Sequence, residues 1–447
     1  MPKLLRTATP IQILVSGFAI IVLVSAALLS MPFSSREGNF QPFIDSVFMT
    51  SSAISTTGLV VADIGRDYTL FGQLVMLTVV QIGGIGYMCF VPLILIGLFG
   101  ARLSISARMI LRESMARPTW LDMVKFTKVI LASTAVVELI GAAILAWYWA
   151  RFMPLGQAIY AGIFHSITAF CTAGMSIWTR NMLSIHNELL PNLVLNALEL
   201  IGGIGFFVLY DLAHVGKKIV RRQHPRALTT HSKLALTVTA LVVAIGSLVT
   251  LLTEWHKPGM SVAERILTAT FQAISASTTT GFNSVDIAAL GVPALFMLII
   301  LMFIGASPNS TGGGIKTTTL GVMAAGLWAL LRGHEDITMF KRRIAKKTLD
   351  AASSLTLAAV LWVAVVTGIV LILEPATFIE GVFEVVSAFG NVGLSMGITT
   401  KLHPVSRMLL STTMFFGRLG PLAIGFSLIG KRESPLHHYA EDDVFVG

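Results

Sequence analysis

The 447 residues are 54% hydrophobic and only 12% charged, with a mean hydropathy of +0.79, which excludes an ordinary soluble fold and implies an integral membrane protein. The net charge of +9, from 32 Lys and Arg against 23 Asp and Glu, would suit a nucleic-acid binder, but its confinement to short connectors excludes that reading. Two cysteines, Cys89 and Cys171, both in apolar surroundings, leave no room for a disulfide scaffold or a metal cluster.

Along the chain, apolar runs recur at residues 11–31, 70–99, 126–149, 190–212, 234–252, 292–304, 355–373 and 408–429. Most are near or above the roughly 20 residues that span a bilayer, so eight crossing helices are expected. The first run is too long for the core of a secretory signal and has no clean cleavage site, so it is expected to stay in the mature protein. The stretch 214–233 holds six Lys and Arg and no acid, 332–350 holds six, and 101–117 holds four. All three follow even-numbered crossings, and Lys3 and Arg6 precede the first. The bias of basic residues toward the cytosol therefore places both termini and these loops inside. Contact of the basic loops with anionic lipid and docking of a cytosolic partner are both open to them.

Shorter apolar runs lie between the long ones, and each leads into a glycine: "VFMTSSAISTTGLV", "IFHSITAFCTAGMS", "TFQAISASTTTGFN" and "VFEVVSAFGNVGLS". Counting back from Gly58, Gly174, Gly281 and Gly393, the tenth place is Phe48, Phe164, Phe271 and Phe383, and the fifth is Ala53, Ala169, Ala276 and Ala388. The sixth is hydroxylic (Ser52, Thr168, Ser275, Ser387), and the second is Thr56, Thr172, Thr279 or Asn391. Four Phe at one chosen offset arise by chance with a probability on the order of 10⁻⁵. A unit of about 110 residues is therefore used four times. Each reads as crossing helix, outer loop, short helix, glycine strand, crossing helix. The short helix cannot span, so it is expected to re-enter the membrane from outside, its partially negative C-terminus aimed at a common axis where a cation is favoured.

Glycine at the centre of each strand permits dihedrals that turn carbonyls toward one ion. The expected cation ligands are the carbonyls of Thr57 and Gly58, Ala173 and Gly174, Thr280 and Gly281, and Val392 and Gly393. With no carboxylate inside these segments, a dehydrating carbonyl site fits better than a divalent-cation site. Asp63 and Asp286, five residues past their glycines, either gather cations at the outer mouth or are simply solvated.

The third unit departs from the others. Its run at 292–304 covers only about half a bilayer before "GASPNSTGGGIKTTT" interrupts it. Pro308 disrupts a helix, and Gly312, Gly313 and Gly314 free the backbone. Ser307, Asn309, Ser310, Thr311 and Lys316 would be costly against lipid, so the segment 305–317 is expected to line an aqueous cavity below the strands as a gate, with Lys316 as an electrostatic barrier. A phosphate-binding loop is excluded because Ile315 separates Gly314 from Lys316. Arg418 lies between apolar runs, and is expected either to meet the interrupting loop and oppose cations or to pair with Glu199 or Glu138. The two "GGIG" stretches at 83–86 and 202–205 read as sites of close packing or bending.

These residues resemble the superfamily of Trk, Ktr and HKT potassium transport proteins across essentially the whole chain. The most specific parts are the four glycines, "STGGGIKTTT" and "FFGRLGP". The resemblance implies an all-α integral membrane fold of four fused M1-P-M2, potassium-channel-like repeats around one pseudo-fourfold pore, with eight crossing helices and four re-entrant pore helices. The repeats fall at 1–100, 124–213, 231–332 (with the gate at 305–317) and 350–430. Cytosolic segments lie at 101–123, 214–230, 333–349 and 431–447. Lacking two helices ahead of the first unit, the chain resembles the Ktr type of membrane subunit. That type implies a homodimer in a bacterial inner membrane, resting on a cytosolic KtrA-like nucleotide-binding ring that takes ATP or ADP, with no cofactor bound to this chain. The apolar Val444, Phe445 and Val446 suit a subunit contact, and the C-terminus of such relatives lies at the dimer interface. Glycine at Gly58, where sodium-preferring relatives carry serine, implies potassium. Thr172 departs from the Asn that many relatives carry there. A single glycine per strand implies weaker discrimination than a two-glycine filter.

Two rivals predict other features. A secondary cation symporter with alternating access calls for inverted repeats or paired intramembrane acids, whereas these repeats run parallel. A membrane enzyme calls for a nucleophile and base set or a zinc motif, and neither H-E-x-x-H nor G-x-S-x-G occurs.

Overall fold

The structure, a computed structural model, describes residues 10–86, 120–223, 228–255 and 259–420. The chain begins with α1 (Pro10–Ser30), then the short α2 (Phe43–Ile54), and after the first glycine segment α3 (Leu70–Ile85). The same order recurs as α4 (Trp120–Trp149), α5 (Leu155–Phe170), α6 (Leu189–Ile204) and its continuation α7 (Phe206–Val220). It recurs again as α8 (Thr230–Thr253), α9 (Val262–Ser277), α10 (Val292–Ile304) and α11 (Thr317–Leu331). The last set is α12 (Lys346–Leu373), α13 (Phe378–Gly390) and α14 (Pro404–Leu419).

Local chemistry starts the short helices. Pro42 and Pro154 precede α2 and α5, while α9 and α13 open with capping boxes, Ser261 with Glu264 and Thr377 with Glu380. Each short helix packs against the helix before it: α2 on α1, α5 on α4, α9 on α8, α13 on α12. The helix after each glycine segment packs on its own short helix and also on the next one, α3 on α5, α6 on α9 and α10 on α13, while α14 returns to α2 and closes a ring. Arg407 of α14 secures that closure by pairing with Asp45 at the start of α2.

The short helices form the interior. Phe48, Phe164, Phe271 and Phe383 are fully buried, the bulky side chains that fill the space behind the four glycine segments. The preceding helices carry the outer surface: Ile20, Leu23 and Val24 of α1, Val136, Leu139 and Ile140 of α4, Leu241, Ile245 and Leu248 of α8, and Leu361, Val365 and Ile372 of α12 are exposed. Apolar stripes of this extent are stable only against lipid.

Two features differ from the sequence expectation. Among the described residues three helices are long and apolar enough to cross a membrane unbroken, Thr127–Trp149, Thr230–Thr253 and Lys346–Leu373. The run at 190–212 is instead a pair, α6 and α7, bent by 101° at Gly205. The parts of the expected spans beyond residues 86 and 420, the loop at 101–117, Cys89, Lys3, Arg6 and the C-terminal tail lie outside the described residues. The second difference is a β-hairpin within the basic segment 333–349, so the fold is not wholly helical. Strand β1 (Ile337–Met339) pairs antiparallel with β2 (Arg342–Ile344), Ile337 opposite Ile344. Phe340 and Lys341 turn between them with φ of 48° and 61°, the two-residue geometry that suits strand twist.

Candidate functional site

Each short helix ends in the same way. The second-place residue takes a left-handed backbone, with φ of 54° at Thr56, 49° at Thr172, 62° at Thr279 and 54° at Asn391. For the β-branched threonines this costs energy that the surroundings must repay. Its N–H donates to the fifth-place alanine carbonyl, at 3.1 Å (Ala53), 3.0 Å (Ala169), 3.3 Å (Ala276) and 3.2 Å (Ala388). The next N–H donates to the sixth-place carbonyl, Thr57 to Ser52, Ala173 to Thr168 and Thr280 to Ser275 at 2.8 Å, and Val392 to Ser387 at 2.9 Å. The four segments are thus reversed by one repeated hydrogen-bond pattern, which is why hydroxyl, alanine and glycine recur in register.

The glycines follow with φ of 89° (Gly58), 55° (Gly174), 88° (Gly281) and 92° (Gly393). A Cβ on Gly58 would run into the carbonyl oxygen of Ala173, one on Gly174 into that of Thr280, one on Gly281 into that of Val392, and one on Gly393 into that of Thr57. The carbonyls of Thr57, Ala173, Thr280 and Val392 therefore form a closed ring, each nested against the glycine of the unit before it. None of the four oxygens accepts a hydrogen bond from the described residues. Backbone carbonyls withdrawn from water and left without an N–H donor are groups with the chemistry to coordinate a cation.

Beneath this ring lies the loop that separates α10 from α11, and it touches all four units. Thr56 Oγ1 donates to the Thr311 carbonyl at 2.9 Å, and Thr172 Oγ1 to Thr311 Oγ1 at 3.0 Å. Gly313 N donates to Thr279 Oγ1 at 3.1 Å, and a Cβ on Gly313 would meet Cβ of Asn391 at 2.8 Å. The loop is also stitched to the bend between α6 and α7: Ser307 N donates to Gly203 O at 3.0 Å, Thr311 N to Gly202 O at 3.3 Å, and Phe206 N to Asn309 O at 2.8 Å.

The candidate gate residues meet here. Lys316, at φ 83°, donates from Nζ to Gly312 O at 2.6 Å and Gly313 O at 3.0 Å. Gly314, at φ 80°, lies so close to Gly305 that a Cβ would come within 2.8 Å of its Cα. Arg418 hydrogen-bonds the carbonyls of Thr311 and Gly83, joining the loop to the first unit. Of the two carboxylates weighed as its partners, Glu138 accepts from Gln81 Nε2 at 3.1 and 3.0 Å, and both oxygens of Glu199 have no hydrogen-bond partner among the described residues. Asp63 and Asp286 each accept from the backbone two or three residues on, capping short helical turns.

Several participants had no clear sequence signal. Thr311 is the hub through its carbonyl, which no side-chain pattern advertises. An interrupting loop was expected only in the third unit and packing or bending at the two "GGIG" stretches, and α3, α6, α10 and α14 all end at a glycine of positive φ: Gly86 (82°), Gly205 (100°), Gly305 (71°) and Gly420 (85°). The "GGIG" stretches do serve close packing as well. A Cβ on Gly83 would strike Ile54 O and one on Gly202 Phe170 O, just as one on Gly417 would strike Phe389 O.

Residues 3–434 match the sequence profile of the TrkH family, described as cation transport proteins. The chain is 34% identical to the Ktr system potassium uptake protein B of Bacillus subtilis strain 168, over 98% of this chain and 97% of the relative. It is 33% identical to the protein of the same name from Vibrio alginolyticus, over 98% and 94%. The crystal structure of the potassium transporter TrkH from Vibrio parahaemolyticus shares the fold, with a TM-score of 0.69 at 21% identity over 92% of this chain and 84% of that one. A ring of four donor-free carbonyls inside a shell of lipid-facing helices, joined to a profile match over nearly the whole length, places this chain in the TrkH family of cation transport proteins.

Proposed function

We propose that the chain passes potassium across a bacterial inner membrane through the ring formed by Thr57, Gly58, Ala173, Gly174, Thr280, Gly281, Val392 and Gly393. On this reading α2, α5, α9 and α13 are re-entrant pore helices of four fused M1-P-M2 units. The observation that carries the proposal is the closed ring of carbonyl oxygens, each nested against the neighbouring glycine and none accepting a hydrogen bond from the described residues. Replacement of hydration water by such oxygens selects a monovalent cation. Potassium is favoured because two full-length relatives are named for potassium uptake.

The loop at 305–317 is the gate. It fills the space below the ring with contacts to all four units, carries one basic side chain, Lys316, to the path and meets a second, Arg418 of α14, there. Opening requires it to leave. A cytosolic nucleotide-binding ring of the KtrA kind is the natural actuator, docking on the basic segments 214–230 and 333–349 of a homodimer, with ATP or ADP held by the ring.

The test is cation flux into liposomes holding the purified chain, comparing potassium with sodium. Wild type is expected to favour potassium, and Gly58→Ser to erode that preference because its Cβ would intrude on the Ala173 carbonyl. Flux of unaltered selectivity in Gly58→Ser would refute the carbonyl-filter reading.

A further inference from the structure

The residue nine places before each glycine sits directly behind its segment and holds the strand that leaves it. In the first unit Met49 Sδ accepts from Val61 N at 3.4 Å. In the second, His165 Nε2 meets Ser176 Oγ at 3.0 Å while Nδ1 meets Ala161 O at 2.8 Å, an arrangement in which the ring donates to the carbonyl and accepts from the serine. In the third, Gln272 Oε1 accepts from Ser284 N at 3.1 Å and Nε2 donates to Phe282 O at 3.4 Å. In the fourth, Glu384 accepts from Ser395 Oγ at 2.9 Å and from Thr399, whose hydroxyl also lies 2.9 Å from Ser395 Oγ. All four ninth-place side chains are fully buried.

One position thus performs one task with four chemistries: a thioether, an imidazole, an amide and a carboxyl. Their holding power differs. Sulfur is a weak acceptor, whereas each oxygen of Glu384 takes a hydroxyl hydrogen in a low-dielectric setting. Ser395 stands two residues past Gly393, so the carboxyl restrains the backbone that aims the carbonyls of Val392 and Gly393. Gly397 N adds a further bond to Ser395 Oγ at 2.9 Å, which fixes the hydroxyl's own place.

We infer that Glu384 is a positioning residue for ion selectivity: through Ser395 and Thr399 it fixes the fourth carbonyl of the ring at the radius that discriminates potassium from sodium. The inference rests on the filter reading above. It follows that the four quadrants are unequally stiff, with the fourth the most firmly held and the first the least.

The experiment compares potassium and sodium flux in liposomes for wild type, Glu384→Gln, Ser395→Ala, the double variant and Gly393→Ser. Glu384→Gln and Ser395→Ala are each expected to lower the potassium-to-sodium ratio by roughly fivefold, the scale of one lost buried hydrogen bond. The double variant is expected to fall no further than the worse single one, because both remove the same restraint. A merely structural role would reduce the flux of both ions together and leave the ratio unchanged, which overturns the inference. If the ratio holds in Glu384→Gln and Ser395→Ala but falls in Gly393→Ser, the filter stands and the positioning role is wrong. If Gly393→Ser also keeps the wild-type ratio, the filter reading fails and this inference with it. Should Glu384→Gln not fold, Ser395→Ala carries the test, since it deletes one hydroxyl from a partly exposed position.

Discussion

On the gate reading proposed above, replacing Lys316 by methionine probes the loop at its most local restraint. The ammonium bonds two carbonyls of its own loop, Gly312 at 2.6 Å and Gly313 at 3.0 Å, so it holds the loop in the shape that lies under the ring. When the loop leaves, water replaces these bonds, and only their net worth counts, about 1 kcal/mol each. Losing both shifts the closed-to-open equilibrium by about 2 kcal/mol, which is roughly a 30-fold rise in the open population. Removal of a positive charge beside a cation path acts in the same direction. Methionine keeps the length of the side chain and bears the same backbone penalty at φ 83°, so strain relief does not contribute. Basal potassium flux through the purified chain in liposomes, without any cytosolic partner, is the readout. A Lys316→Met protein that folds normally yet shows basal flux within about threefold of wild type would sink the argument that this lysine holds the loop shut.

Two other perturbations separate the loop from the frame around it. Gly313→Ala places a methyl within 2.8 Å of Asn391 Cβ and against the Gly390 carbonyl, so the loop cannot seat and basal flux is expected to rise about tenfold or more; unchanged flux would mean the loop does not need that fit. Arg407→Leu breaks the pair with Asp45 that closes the helix ring and a local 3.1 Å bond to Thr400 O, and is expected to cost about 1–3 kcal/mol in denaturant unfolding in detergent with the potassium-to-sodium ratio intact. An altered ratio in that variant would show that ring closure and selectivity are coupled.

What was legible in the sequence was what the ring geometry demands of every unit alike. Gly58, Gly174, Gly281 and Gly393 recur because a Cβ at any of them would occupy a neighbour's carbonyl oxygen, and Ala53, Ala169, Ala276 and Ala388 recur where the left-handed turn takes its hydrogen bond. Functions shared by position but not by residue type stayed hidden. Met49, His165, Gln272 and Glu384 do one job with four side chains, so no letter repeats at the ninth place. At Gly86 and Gly205 the sequence left packing and bending open, and at Gly420 it gave no sign, since glycine in an apolar helix signals close packing and a left-handed end equally well. The hairpin at 337–344 escaped because Phe340 and Lys341 form its turn in place of the usual asparagine and glycine.

The interrupting loop also explains why four units should reside in one chain. The third unit supplies the loop, the fourth supplies Arg418, the second supplies the bend at Gly202 and Gly203 that receives Ser307 and Thr311, and the first supplies the Gly83 carbonyl that Arg418 grasps. Each role occurs once because the space below the ring holds one loop: Thr311 and Gly313 already fill it with contacts to Thr56, Thr172, Thr279 and Asn391. Four identical subunits would each bring such a loop to the axis and exclude one another. Fusion lets the backbone of the ring stay fourfold while the side chains beneath it specialise, so on the gate reading proposed above closing the path becomes a single asymmetric contact that a single motion can undo.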